Sequence, residues 1–121
     1  MKDHINVLEE KEQGNLPGEI RTWVEQMKGE KGVHQRRYRG ATYLLVTSGV
    51  KPHPGYQLHW VERRKEKQTV DVVVREEKPA PDQLYPQVLN CPYLLFQVEG
   101  ITPRIIDAET GELFTGNIKT Q

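Results

Sequence analysis

From about Val33 onward the apolar residues fall into short runs, many with every second position apolar, and this constrains the fold more than any other feature. Thr42–Thr47 (TYLLVT) is a β-branched and aromatic run closed by Ser48-Gly49. Tyr56, Leu58 and Trp60 alternate with Gln57 and His59, the pattern of a half-buried strand. Glu62–Lys67 (ERRKEK) reads as the solvated tip of a hairpin, after which Val70, Val72 and Val74 alternate with Asp71, Val73 and Arg75. Glu76–Asp82 is charged and Pro-rich, a connection that cannot be a central strand. Pro92–Glu99 (PYLLFQVE) carries the strongest strand signal, with Leu94, Phe96 and Val98 on one face. Arg104–Asp107 and Glu112–Phe114 flank Thr110-Gly111 as a terminal hairpin. The expected class is mainly β (α+β by count): an antiparallel β-sandwich or partly open barrel of five to seven strands with one N-terminal helix.

That helix is expected over residues 17–28. Pro17 suits a first helical turn and Glu19 favours the positive end of the helix dipole. Ile20, Trp23, Val24 and Met27 fall at i, i+3, i+4 and i+7, and Gly29 follows as a stop. So short a helix draws its stability from docking this stripe on something larger. Residues 1–15 are charged and weakly patterned, which predicts a flexible arm; residues 16–121 form a single β-rich domain. A chain of 121 residues has room for one core and little for a second.

Composition narrows the function more by exclusion than by pointing. Seventeen basic and seventeen acidic side chains cancel, so no global field draws the chain to nucleic acid, and no nucleic-acid partner is expected. One cysteine, Cys91, excludes an intramolecular disulfide and a cysteine-based metal cluster. His4, His34, His53 and His59 are scattered and form no metal-ligand spacing, so they read as loop or solvent-facing residues and no metal is expected. There is no nucleophile elbow, no phosphate-binding loop and no dinucleotide fingerprint, which predicts no catalytic residues, no cofactor and no enzyme activity. A small enzyme using Cys91, with a histidine brought to it by the fold, is the rival from another class. No apolar run has signal-peptide or bilayer-spanning length, so no membrane insertion is expected. The chain as given reads as cytoplasmic, and a trimmed exported protein would read the same.

Two basic clusters stand out, Arg36, Arg37 and Arg39 around Tyr38, and Arg63, Arg64, Lys65 and Lys67. Nearby acids make them an edge strand and a hairpin tip kept soluble by charge. The most distinctive segment is Gly49–Tyr56 (GVKPHPGY). Two prolines stiffen it and Gly55 permits a tight turn, so Lys51, Pro52, His53, Pro54, Gly55 and Tyr56 are the candidate binding residues. A rigid loop loses less ordering entropy on contact than a flexible one. The plainer alternative is a turn that only fixes strand register.

The order Tyr43-Leu44-Leu45-Val46, Gly49-Val50-Lys51-Pro52, Pro54-Gly55-Tyr56, a valine strand, Glu77-Lys78-Pro79 and Gln87-Val88-Leu89-Asn90-Cys91-Pro92-Tyr93 resembles the PrcB C-terminal domain over residues 42–99. The family's namesake associates with and stabilises a bacterial surface protease complex. The resemblance therefore implies a non-enzymatic protein–protein interaction domain of a bacterial protein, with another protein, a protease, as partner. The Pro54-Gly55-Tyr56 loop is also similar to the corresponding loop of chagasin-like peptidase inhibitors, with His53-Pro54 in place of their paired threonines. That similarity implies inhibition of a peptidase by the 49–56 loop as the alternative. Homodimerisation through an exposed edge or the helix stripe is left open.

Overall fold

The alternation resolves into two sheets whose valine- and leucine-rich faces meet. The computed structural model describes residues 4–66, 68–115 and 118–120. Its strands are β1 (His4–Val7), β2 (Gly32–Tyr38), β3 (Ala41–Thr47), β4 (Gln57–Glu66), β5 (Thr69–Glu77), β6 (Tyr93–Glu99), β7 (Arg104–Asp107) and β8 (Lys119–Thr120). Two helices, α1 (Glu10–Gln13) and α2 (Gly18–Met27), lie between β1 and β2. One sheet has the order β1-β6-β3-β2-β8 and the other β4-β5-β7. Strand pairs are antiparallel except β2 with β8 and β5 with β7, which run parallel. The fold is thus the expected mainly β arrangement, two open sheets with a mixed character that the period-two pattern does not encode.

Between the sheets, Leu44 and Val46 of β3 and Phe96 and Val98 of β6 meet Val70, Val72 and Val74 of β5 and Ile105 of β7. Leu94, Phe96 and Val98 share this face as their alternation requires, with Leu94 only partly buried. The other face of the five-stranded sheet presents Tyr43, Leu45 and Leu95, and onto these α2 lays Ile20, Trp23 and Val24. β3 and β6 are therefore buried on both faces, which is why their sequences read as continuous apolar runs. Pro17 sits at the N-cap of α2, and the Thr47 hydroxyl donates to the Lys28 carbonyl, satisfying one of the helix's terminal acceptors.

Several expectations need correcting. Residues 1–15, expected to be a flexible arm, include β1, which pairs with β6 from His4↔Glu99 to Val7↔Phe96, and the single turn α1. Ile5 is buried in the core, but its pairing partner lies about ninety residues away, beyond the reach of local pattern. Val73, expected on the polar side of its strand, is 3% exposed because β5 is the central strand and Ile106 of β7 lies beside it. His34, expected in a loop or in solvent, is fully buried in β2 with Nε2 2.9 Å from the Glu30 carbonyl. The segment expected to be a hairpin tip is still strand to Glu66; Lys67 lies outside the described residues. Of the expected terminal hairpin, Arg104–Asp107 is β7, whereas Glu112–Phe114 forms no strand and meets β7 only in the isolated bridge Ile106↔Leu113.

Candidate functional site

The segment 49–56 leaves the end of β3 under tight control. Gly49 has φ +85°, a conformation that side chains other than glycine rarely adopt, and a Cβ there would lie 3.3 Å from Lys31 Cβ. Its N–H donates to Thr47 Oγ1 at 3.1 Å. Two residues later Lys51 forms an isolated antiparallel bridge with Asn90, with N–H to O distances of 2.7 and 2.9 Å. The Asn90 side-chain amide also donates to the Tyr56 carbonyl at 3.0 Å. One residue of the 78–92 connection thereby grips both ends of the loop.

The tip is held by rings. His53 stacks on Tyr85 with centroids 4.7 Å apart and planes at 7°, and meets the tilted Tyr56 ring at 5.1 Å. Gly55 N–H donates to His53 Nδ1 at 3.1 Å, which requires that nitrogen to be unprotonated. A Cβ on Gly55 would fall 2.7 Å from Tyr85 Cζ, 2.8 Å from Pro79 Cβ and 2.9 Å from His53 Cε1, so only glycine fits. Lys51 Nζ lies 5.5 Å over the Tyr56 ring and 3.9 Å from Glu76 Oε2; Lys31 binds the other oxygen of that carboxylate at 2.9 Å. Pro52 stands exposed and Pro54 is half-buried.

All six sequence-predicted residues thus gather on one surface, joined by residues that sequence reasoning missed: Tyr85, Asn90 and the side chains around them. Leu84 is 100% exposed, Leu89 72%, Val88 61% and Val50 54%. Among the described residues, four of the seven exposed large apolar side chains therefore belong to these two loops. The signal that could have found them is the run Gln83-Leu84-Tyr85-Pro86-Gln87-Val88-Leu89, whose apolar residues have helical i, i+4 spacing in a segment that forms no helix and is interrupted by Pro86. A rigid backbone presenting apolar side chains to water is suited to contact with a macromolecule.

Of the other candidates, Cys91 borders this surface, beside Pro54, Tyr56 and Asn90. Cys91 is free and half-buried, while His53 is engaged with Gly55 and Tyr85, and His59 Nε2 lies 3.4 Å from Glu77 Oε1. Among the described residues no group of three or more His, Cys, Asp or Glu side chains could hold a metal ion. Among the same residues no helix is long and apolar enough to cross a membrane. In the basic clusters, Arg36 pairs with Glu19 at 3.0 Å, Arg39 leans over the Tyr38 ring at 5.2 Å and Arg64 pairs with Glu62.

A family model described as PrcB C-terminal matches residues 42–99, the segment that carries the resemblance. It spans β3, both loops, β4, β5 and β6, and so contains the whole surface. No curated protein and no solved structure matches the chain.

Proposed function

We propose, from the match of residues 42–99 to the PrcB C-terminal family model, that this protein is a non-catalytic protein-binding module whose contact surface is the paired loops 49–56 and 78–92. The observation that carries this reading is the pairing of a locked backbone with exposed Leu84, Val88, Leu89 and Val50. Binding energy concentrates in a few apolar or aromatic anchors, and a surface ordered before contact loses little entropy on forming it. The partner is a protease, as the family resemblance implies, and the module stabilises it by association. Inhibition of a peptidase by the 49–56 loop is less well supported. An inhibitory wedge needs a protruding tip, whereas Gly55 is buried and His53 lies against Tyr85.

The test is affinity capture from a lysate of the source cells, read by mass spectrometry, with the double substitution Leu84→Asp and Leu89→Asp as the control. Both side chains are exposed, so the fold should change by no more than about 0.5 kcal/mol per site. A protein captured by the wild type and lost by the variant supports the reading. The same proteins captured equally by both would end it.

A further inference from the structure

A second surface begins where Tyr56 leads into β4. Two adjoining hollows of about 550 and 460 Å³ share Glu10 and Tyr93 in their walls and together form a groove between β4 and the start of β6. Trp60 and Leu58 of β4 form one side, and Tyr93 and Leu94 of β6 the other. Trp60 is 39% exposed there, its ring edge-on to Phe96 with centroids 6.2 Å apart. Among the described residues, the charged ones lining the two hollows are Glu9 and Glu10, both exposed. Lys28, whose charge acts on Tyr93, is already paired with Glu25 at 2.8 Å.

β4 is the outer strand of its sheet. Alternate residues along it therefore turn their N–H and C=O groups away from β5, a template for one more strand. The register shift between Trp60 and Glu62 bends the strand and limits regular pairing to its first half. This disfavours a second copy of the chain as occupant. Two-fold pairing about Val61 would set Lys65, Arg64 and Arg63 opposite Gln57, Leu58 and His59, none of which is a carboxylate.

We propose that this groove docks an extended segment of a partner protein that carries a lysine or arginine, adding as a short strand to Gln57–Trp60 with its basic side chain at Glu9 and Glu10. Aromatic walls accept apolar or proline side chains of the segment, and the cation enters over the acidic rim. The site is separate from the loop surface, although Pro54, Tyr56 and Asn90 border both.

The test is selection of a displayed random dodecapeptide library on the full chain, followed by titration of a synthetic copy of the enriched peptide with amide NMR detection. The expected consensus has Lys or Arg flanked by apolar residues, and the expected shifts map to Gln57–Trp60 and Tyr93. Glu10→Lys should weaken binding about five- to tenfold and the isosteric Glu10→Gln by less, because reversal adds repulsion to the lost attraction. Leu84→Asp with Leu89→Asp should leave the affinity unchanged, which separates this site from the loop surface. No enrichment, an acidic or uncharged consensus, or shifts confined to the loops would overturn the proposal. So would a dimer in sedimentation whose interface gives the same shifts without peptide.

Discussion

Helix α2 and the paired loops are held in different ways, the helix by side chains packed on β3 and β6 and the loops by contacts to each other. On the helix side, Ile20, Trp23 and Val24 cover Tyr43, Leu45 and Leu95, and the apolar surface of both partners is consumed in the contact. On the loop side, the Lys51–Asn90 bridge and the His53–Tyr85 stack do the holding, and the apolar side chains face outward. Apolar groups used for holding cannot also be used for binding. A surface held by hydrogen bonds and a ring stack keeps Leu84, Val88 and Leu89 free for a partner at little cost in rigidity.

The comparison breaks most visibly at Trp23. Trp23 is 2% exposed, and truncation to alanine should remove about 3–5 kcal/mol of stability, a large share of what a domain of this size possesses. Its Nε1 is buried without a partner among the described residues, which offsets part of the burial gain and places the loss toward the lower end. Urea denaturation should show the loss, while partner capture at low denaturant should persist in the fraction that stays folded. Capture that vanishes from a folded Trp23→Ala protein would mean that helix and loops form one coupled unit.

Gly55→Val attacks the other side. The added carbons collide with Tyr85, Pro79 and His53, so the two loops must part and the stack must open. Stability should fall by about 1–3 kcal/mol, a smaller change than at Trp23, while capture is lost altogether. NMR shifts from the stacked rings of His53 and Tyr85 report the opening directly. A variant that keeps both the stack and the capture would show that the backbone lock is not what presents the surface.

This division also explains what was legible in the sequence. The helix stripe, the valine alternation of β5 and the apolar runs of β3 and β6 were readable because burial imposes a period on consecutive residues. Pro17, Gly29 and Ser48-Gly49 marked ends for the same local reason. β1 was not readable, since Ile5 and Val7 become strand residues only through β6, and neither was the parallel pairing of β5 with β7. Half of the candidate surface was found because Pro52, Pro54 and Gly55 are turn residues with individual meaning. The other half, Tyr85 and Asn90, acts through contacts across 32 to 39 residues with His53, Tyr56 and Lys51, and no spacing rule encodes those.

The smallest effect sharpens the comparison at a point between the two regions. The Tyr93 hydroxyl donates to Gln13 Oε1 at 2.7 Å, and burial holds its ionisation above the ordinary value of 10.0; Lys28 opposes the shift, while Glu25 and Glu10 add to it. The hydrogen bond to Glu25 raises Lys28 above its ordinary 10.5, against the opposing effect of its own burial. Both groups therefore keep their protons to higher pH in the fold than in the unfolded chain. Unfolding in alkali releases those protons, so the stability linked to them is complete below about pH 10 and is lost as pH rises through the folded values. Urea midpoints should drift down above that pH, and less steeply in Tyr93→Phe, which cannot ionise. Equal slopes in the two proteins would show that Tyr93 is not linked to folding and that the alkaline loss arises elsewhere. Because neither group touches the loop bridge or the ring stack, capture by the loops should not follow this drift until the fold itself gives way.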